Sequence, residues 1–207
     1  MNRASTLCAA ALFAAGLAGG PAAAETRAVI ELFTSQGCSS CPPADKLLAE
    51  YADREDILAL SFPIDYWDYL GWKDTLATPK FSERQRAYGK VRGDGAIYTP
   101  QVIVNGLAHV NGSDEDKITR LIDKTSKTLA ATRVPIKLSE YKNKLVVNVG
   151  SASNETPAKE ATLWLAVIAT SVTVPIERGE NQGKTVTYQI VVRELIPIGT
   201  WNGTEMT

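Results

Sequence analysis

The sequence predicts an α/β domain with the order β-α-β-α-β-β-α over residues 25–132, followed by a small antiparallel β module over 133–207. Three observations predict it. From Arg27 to about Thr132, short apolar runs alternate with stretches whose apolar residues recur at helical spacing. Asn105-Gly106 stands between two such runs and is a strong signal for a two-residue hairpin. After Arg133 the apolar period drops to two, as in strands with one face buried.

Residues 1–24 read as a secretory signal. Arg3 supplies the positive start, Ala9 to Leu17 the apolar run, and Ala22-Ala23-Ala24 a small-residue cleavage site. The run is too short to span a bilayer, and Cys8 is expected to depart with it, leaving Cys38 and Cys41. The mature chain is therefore expected to be periplasmic or secreted, where thiols can be oxidised. The whole chain has 22 basic and 23 acidic residues, so nothing in its charge suggests nucleic acid or a membrane surface as a partner. No later apolar run of about 18 residues predicts a membrane span.

Ala28 to Phe33 is an apolar run fit for a strand buried on both faces, ending at the turn Thr34-Ser35-Gln36-Gly37. Ala44 to Asp53 places Leu47, Leu48 and Tyr51 on one helical face. Ile57 to Phe62 is a second strand, so the unit is a parallel crossover. Phe81 to Tyr88 is predicted helical. Gln101 to Val104 and Leu107 to Val110 flank the hairpin turn, and Ser113 is the expected N-cap of a helix with the stripe Ile118, Leu121, Ile122 and Leu129. Alternation around Ile136, Val147, Leu165 and Val192 then predicts four strands. Lys142-Asn143, Ser151 to Pro157 and Arg178 to Gly183 are their turns.

Cys38-Ser39-Ser40-Cys41, at the end of a strand and the start of a helix, admits three readings. A bridge across two residues closes too short a loop to stabilise much by chain entropy. A closed zinc site wants four ligands, and the mature chain offers two thiols and His109; two-sulfur binding of copper(I) stays open. Exchange chemistry fits the setting, because unpaired N–H groups at a helix start favour thiolate over thiol. In that geometry Cys38 is the more exposed sulfur and attacks a partner disulfide, and Cys41 resolves the intermediate. Pro42 and Pro43 delay the regular helix, with Ser40 or Cys41 near its cap. Ser39 and Ser40 are placed to donate hydrogen bonds to a thiolate.

These residues, with Thr99-Pro100 just before the third core strand, resemble the thioredoxin-like superfamily. That resemblance implies a cis Pro100 opposite the cysteines, keeping a backbone segment open for a substrate chain beside Thr99. It also implies an acid under the sulfurs, a role for which Glu31, seven residues before Cys38, is the candidate; burial would favour its neutral form. A closer similarity covers most of the mature chain. Glu31 to Asp45, Asp65 to Trp72 and Arg178-Gly179-Glu180-Asn181 resemble a family of secreted bacterial proteins catalogued as domain of unknown function 1223. Its members combine a thioredoxin-like domain with an added β module, and the family implies no settled substrate. Members often carry a histidine where this chain has Phe62-Pro63-Ile64, and they extend past position 207, so an incomplete β module is one expectation.

Tyr66, Trp67, Tyr69 and Trp72, with Asp65 and Asp68, follow the second strand at the cysteine end of the sheet. They are expected to form either a docking wall, with Tyr66, Trp67 and Trp72 meeting a partner peptide, or a hydrophobic plug that packs the loop or joins the two domains. The functional expectation is a thiol-disulfide oxidoreductase that needs no cofactor and acts on protein thiols or disulfides. Its alternatives are a copper or zinc delivery protein and a redox-inert binding module.

Overall fold

The computed structural model describes residues 26–153 and 160–207. The signal segment, Cys8 and most of the turn expected at 151–157 lie outside the described residues. Strand β1 (Ala28–Thr34) is buried along almost its whole length, as a two-faced apolar run requires. It pairs in parallel with β2 (Ile57–Pro63) and antiparallel with β3 (Gln101–Val104). Strand β4 (Ala108–Asn111) returns from β3 through Asn105 (φ 53°) and Gly106 (φ 69°), the left-handed pair that a tight hairpin needs.

Helix α1 (Pro42–Ala52) links β1 to β2, α2 (Pro79–Arg92) precedes β3, and α3 (Glu115–Thr132) follows β4. This is the order β-α-β-α-β-β-α. Alternation along β1 distributes the core. Ile30 and Leu32 pack with Leu48 and Tyr51 of α1 and Ile118 and Ile122 of α3. Phe33 packs with Phe62, Phe81 of α2 and Ile103. Each such side chain, taken fully out of water, stabilises the fold by about 1.5–3 kcal/mol.

The helix ends differ in detail from the prediction. Asp114, not Ser113, caps α3, its carboxylate accepting from Lys117 N at 3.1 Å. Asn111 Oδ1 holds Ser113 N at 2.9 Å, so the chain is still turning there. Helix α2 extends beyond Phe81–Tyr88 at both ends. Proline opens it and Gly93 (φ 79°) closes it, while Lys90 and Arg92 in its last turn carry no apolar signal.

The four later strands form, with two fates. Strands β5 (Ile136–Tyr141) and β6 (Lys144–Val149) make the small antiparallel sheet, turning at Lys142-Asn143. Strands β7 (Ala161–Pro175) and β8 (Thr185–Trp201) form a long ribbon that joins the central sheet, giving the order β4-β3-β1-β2-β8-β7. The junction is narrow: Val191 of β8 stands opposite Ser61 of β2. Ile190 just before it adopts φ 48°, a left-handed conformation that costs a β-branched residue about 1–3 kcal/mol. Complete burial of Val191 and Val192 offsets that strain. Among the described residues no helix is long and apolar enough to cross a membrane.

Candidate functional site

Strand β1 delivers the chain to a turn in which Cys38 N donates to Ser35 O (3.2 Å) and Cys41 N donates to Cys38 O (3.1 Å). Cys41 is the N-cap of α1, and Pro42 and Pro43 occupy the first helical positions, where an N–H would have no helical partner. Cys38 and Cys41 are joined by a disulfide. Cys38, expected to be the more exposed sulfur, is buried almost as deeply as Cys41 in this oxidised form. Its exposure is 1% and that of Cys41 is 0%, whereas Ser39 and Ser40 lie open to solvent. Ser40 Oγ is 3.4 Å from Cys38 Sγ, within reach of the sulfur as expected.

Two loops bury the sulfurs. The first, between β2 and α2, holds Gln36: Trp72 Nε1 donates to Gln36 Oε1 (2.8 Å), and Gln36 N donates to Asp74 Oδ2 (2.8 Å). Trp67 lies so close to Gly37 that a β-carbon there would stand 3.1 Å from Trp67 Cβ. Its Nε1 donates to Thr99 Oγ1 at 2.7 Å. Tyr66 is half-buried beside Trp67, and its hydroxyl is buried with no hydrogen bond of ordinary geometry. Trp67 and Trp72 thus pack and pin the cysteine loop, as a plug would, while Tyr69 stays exposed.

The second loop is the turn of the β7–β8 ribbon. Asn181 Nδ2 donates to Gln36 O (2.9 Å) and Cys38 O (2.8 Å), and Ser39 N donates to Glu180 Oε2 (3.1 Å). Hydrogen bonding from Ser39 holds the Glu180 carboxyl below its ordinary range. The Arg178–Gly183 segment singled out in the sequence therefore reaches the cysteine loop.

The Thr99-Pro100 bond is cis and Pro100 is buried. A β-carbon on Gly112 would meet Leu32 (2.9 Å), Ala44 in the first turn of α1 (3.0 Å) and Pro100 (3.2 Å), so the proline lies beside the helix that begins at Cys41. A side chain there would force these neighbours to shift.

Glu31 does not reach the sulfurs. It shares the β1 face of Phe33, across the sheet from α1, where Arg84 clamps both carboxylate oxygens (2.6 and 2.8 Å) and Tyr88 Oη donates at 2.5 Å. Position along the chain suggested proximity; strand alternation sends the side chain the other way.

The acid on the cysteine side is Asp45, one helical turn after Cys41. It is 5% exposed, and neither oxygen has a hydrogen-bond partner of ordinary geometry. Burial pushes its pKa up to about 7, the Thr34 hydroxyl opposes the rise, and the charge of Asp74 adds to it. Asp74 itself rises to about 6 through burial, although Gln36, Leu76 and Ala77 N–H groups donate to it. The buried Tyr188 of β8 is raised by burial and by both carboxylates. Asp45 had a sequence signal that went unread: a carboxylate three residues before Leu48 on the buried stripe of α1.

His109 lies on β4, bonded through Nδ1 to Tyr98 Oη (2.8 Å), with Nε2 3.2 Å from Asp94. Among the described residues no three His, Cys, Asp or Glu side chains come together to hold a metal ion. An apolar cleft of about 500 Å³ lies between α2 and the ribbon, lined by Phe81, Trp164, Leu195 and Pro197 among others, and none of its lining residues belongs to the cysteine loop.

Residues 29–207 match the family described as a protein of unknown function, domain of unknown function 1223. A crystal structure of a protein from Agrobacterium tumefaciens is similar over 89% of this chain and 78% of that one, with 33% identity and a TM-score of 0.77. HBP35 of Porphyromonas gingivalis shares the fold at 16% identity and a TM-score of 0.54, over 84% of this chain and 57% of that one. No curated protein matches.

Proposed function

The chain belongs to this family of unknown function, and we propose that it is an exported thiol-disulfide exchange protein acting on protein thiols or disulfides through Cys38 and Cys41. One observation carries the reading: a Cys-x-x-Cys disulfide at the N-cap of a helix whose first turn borders Gly112 together with Pro100. The helix start favours the thiolate of the reduced pair.

In the reduced protein the Cys38 thiolate attacks one sulfur of a client disulfide. A Cys38–client bond forms, and the client's other sulfur leaves as a thiolate and takes up a proton. Cys41 then gives its proton to Asp45 and attacks Cys38 Sγ. The Cys38–Cys41 bond closes, and the client's first sulfur leaves and is protonated. Two electrons pass from the cysteine pair to the client without any cofactor, and the same steps in reverse oxidise a client dithiol. Asp45, with its pKa near 7, is matched to hold that proton. Pro100 lines the client side, with Thr99 held by Trp67.

The test is turnover with insulin as client. Reduced mature protein should accelerate insulin reduction, and Cys38→Ser should abolish the acceleration. Activity that survives Cys38→Ser removes the assignment. Stoichiometric copper(I) binding that blocks alkylation, with no insulin turnover, transfers the reading to metal delivery.

Burial of both sulfurs favours a second reading, in which the bond is a passive brace in a binding module. That reading expects the bond to resist mild dithiols for as long as the protein stays folded.

A further inference from the structure

We propose that Asn181, at the tip of the β7–β8 ribbon, is a latch on the sulfur pair that closes the site to small thiols and must be displaced before a client reaches Cys38. The inference rests on the exchange reading above.

An attacking thiolate must approach along the S–S axis, and at 1% and 0% exposure neither sulfur offers that line. Something has to move. The loop between β2 and α2 is poorly suited, because Asp74, Gln36, Trp72 and Thr75 tie it to the cysteine turn by hydrogen bonds on a buried scaffold. The ribbon tip is held differently. Its hydrogen bonds to the cysteine loop are two donated by Asn181 and one accepted by the exposed Glu180.

The tip is built to move as one piece. Gly183 N donates to Ile176 O (2.8 Å) and Ile176 N donates to Lys184 O (2.9 Å), closing the turn on itself. Gly179 (φ 78°) and Gly183 (φ 81°) supply its left-handed corners. Lys184 Nζ donates to Asn181 Oδ1 (2.8 Å), which leaves the two amide hydrogens for the carbonyls of Gln36 and Cys38. Asn181 is 1% exposed although its neighbours on the tip are open to solvent. With Ile176 at the base of the turn buried in the cluster of Leu76 and Trp72, Asn181 is the buried polar plug of an otherwise solvated tip.

The chemistry of the contacts also selects the partner. The tip presents N–H donors to two main-chain carbonyls and an acceptor to one main-chain N–H. An extended polypeptide carries both kinds of group and can take over these positions; a dithiol without amides cannot. The class of client is accordingly a protein or peptide segment.

The experiment measures how fast the oxidised, folded protein is reduced by dithiothreitol and by a synthetic dithiol peptide. Asn181→Ala removes the donors, and Asn181→Asp keeps the shape while setting a carboxylate against the two carbonyls. Both should speed reduction by dithiothreitol on the order of tenfold, as expected for two ordinary hydrogen bonds lost. The wild-type preference for the peptide should shrink by a similar factor. Glu180→Ala, at an exposed position, should act in the same direction by a few-fold and serves if the Asn181 variants do not fold. Wild-type protein that is readily reduced, at the same rate as both Asn181 variants, overturns the latch and leaves the exchange reading standing. A bond that neither reagent reduces in any folded variant overturns both.

Discussion

Glu31 and Asp45 are buried to the same degree, each 5% exposed, on opposite sides of one sheet. Their surroundings share nothing else. Glu31 meets a guanidinium on both oxygens and a phenol on one; Asp45 meets no cation and no ordinary hydrogen-bond donor, and another carboxylate lies within its field. Depth in the protein therefore does not decide how a buried carboxyl is held. The partner decides. The α2 side uses its acid as a charged strut between helix and sheet, whereas the α1 side keeps a carboxyl that gains or loses a proton near neutrality, one turn from a cysteine.

The largest expected effect comes from removing the partner. Arg84→Met takes the ion-pair partner from the buried Glu31 carboxyl, and should cost about 3–5 kcal/mol of stability in urea denaturation. The double variant Glu31→Gln/Arg84→Met should recover most of the loss. If Arg84→Met unfolds no earlier than wild type, Glu31 is not acting as a charged strut and the contrast collapses.

Next comes pH. A carboxyl with its folded pKa near 7 and its ordinary value at 3.8 prefers to be neutral in the native state. Stability then falls as pH rises from about 4 to about 7, at roughly 1.4 kcal/mol per unit, and levels off above. Asp74 adds a slope of the same sign that ends near its own value of about 6. Thr34, Asp74 and Tyr188 are the groups that act on Asp45 or feel its charge. Between pH 5 and 7 the wild type should lose on the order of 2–3 kcal/mol through Asp45. Asp45→Asn should lack that part of the slope, which denaturation at pH 5, 6, 7 and 8 measures. An identical slope in the variant places the titration elsewhere.

Smaller effects sharpen each side. Tyr88→Phe deletes one donor to the Glu31 carboxylate and should cost about 1.5 kcal/mol. Thr34→Val removes the hydroxyl that opposes the rise at Asp45. It should move the upper end of the pH-dependent range above about 7, visible as a displaced plateau in the same series. No displacement means that the hydroxyl does not act on Asp45.

Much of the fold was legible because its signals are local. The apolar run of β1, the Asn105-Gly106 turn and the stripe of α3 each specify an element from a few neighbouring residues. The full length of the ribbon was not. Register shifts at Leu163/Trp164 and Val167/Ile168 reset the alternation, so period-two patterns expose only fragments of β7 and β8. The site divides in the same way. Cys38, Cys41 and Pro100 lie in short motifs with a fixed place in the chain. Glu31 was misplaced because its separation from Cys38 says nothing about which face its side chain takes, a matter settled once α1 and α2 occupy opposite sides. The contact from Asn181 to Cys38 spans 143 residues and follows from the pairing of β8 with β2, which no local pattern encodes.

The narrow joint at Val191 and Ser61 makes the ribbon a measuring rod. Asn181 meets the cysteine loop because the strand between it and Val191 has the right number of residues. Removing two residues from each strand would retract the tip by about 7 Å, at roughly 3.4 Å per residue. A deletion beyond Val191, toward Trp201, would leave its reach unchanged. Insertions and deletions should therefore be tolerated on one side of that joint and not on the other, an asymmetry set by arithmetic along the backbone rather than by any side chain.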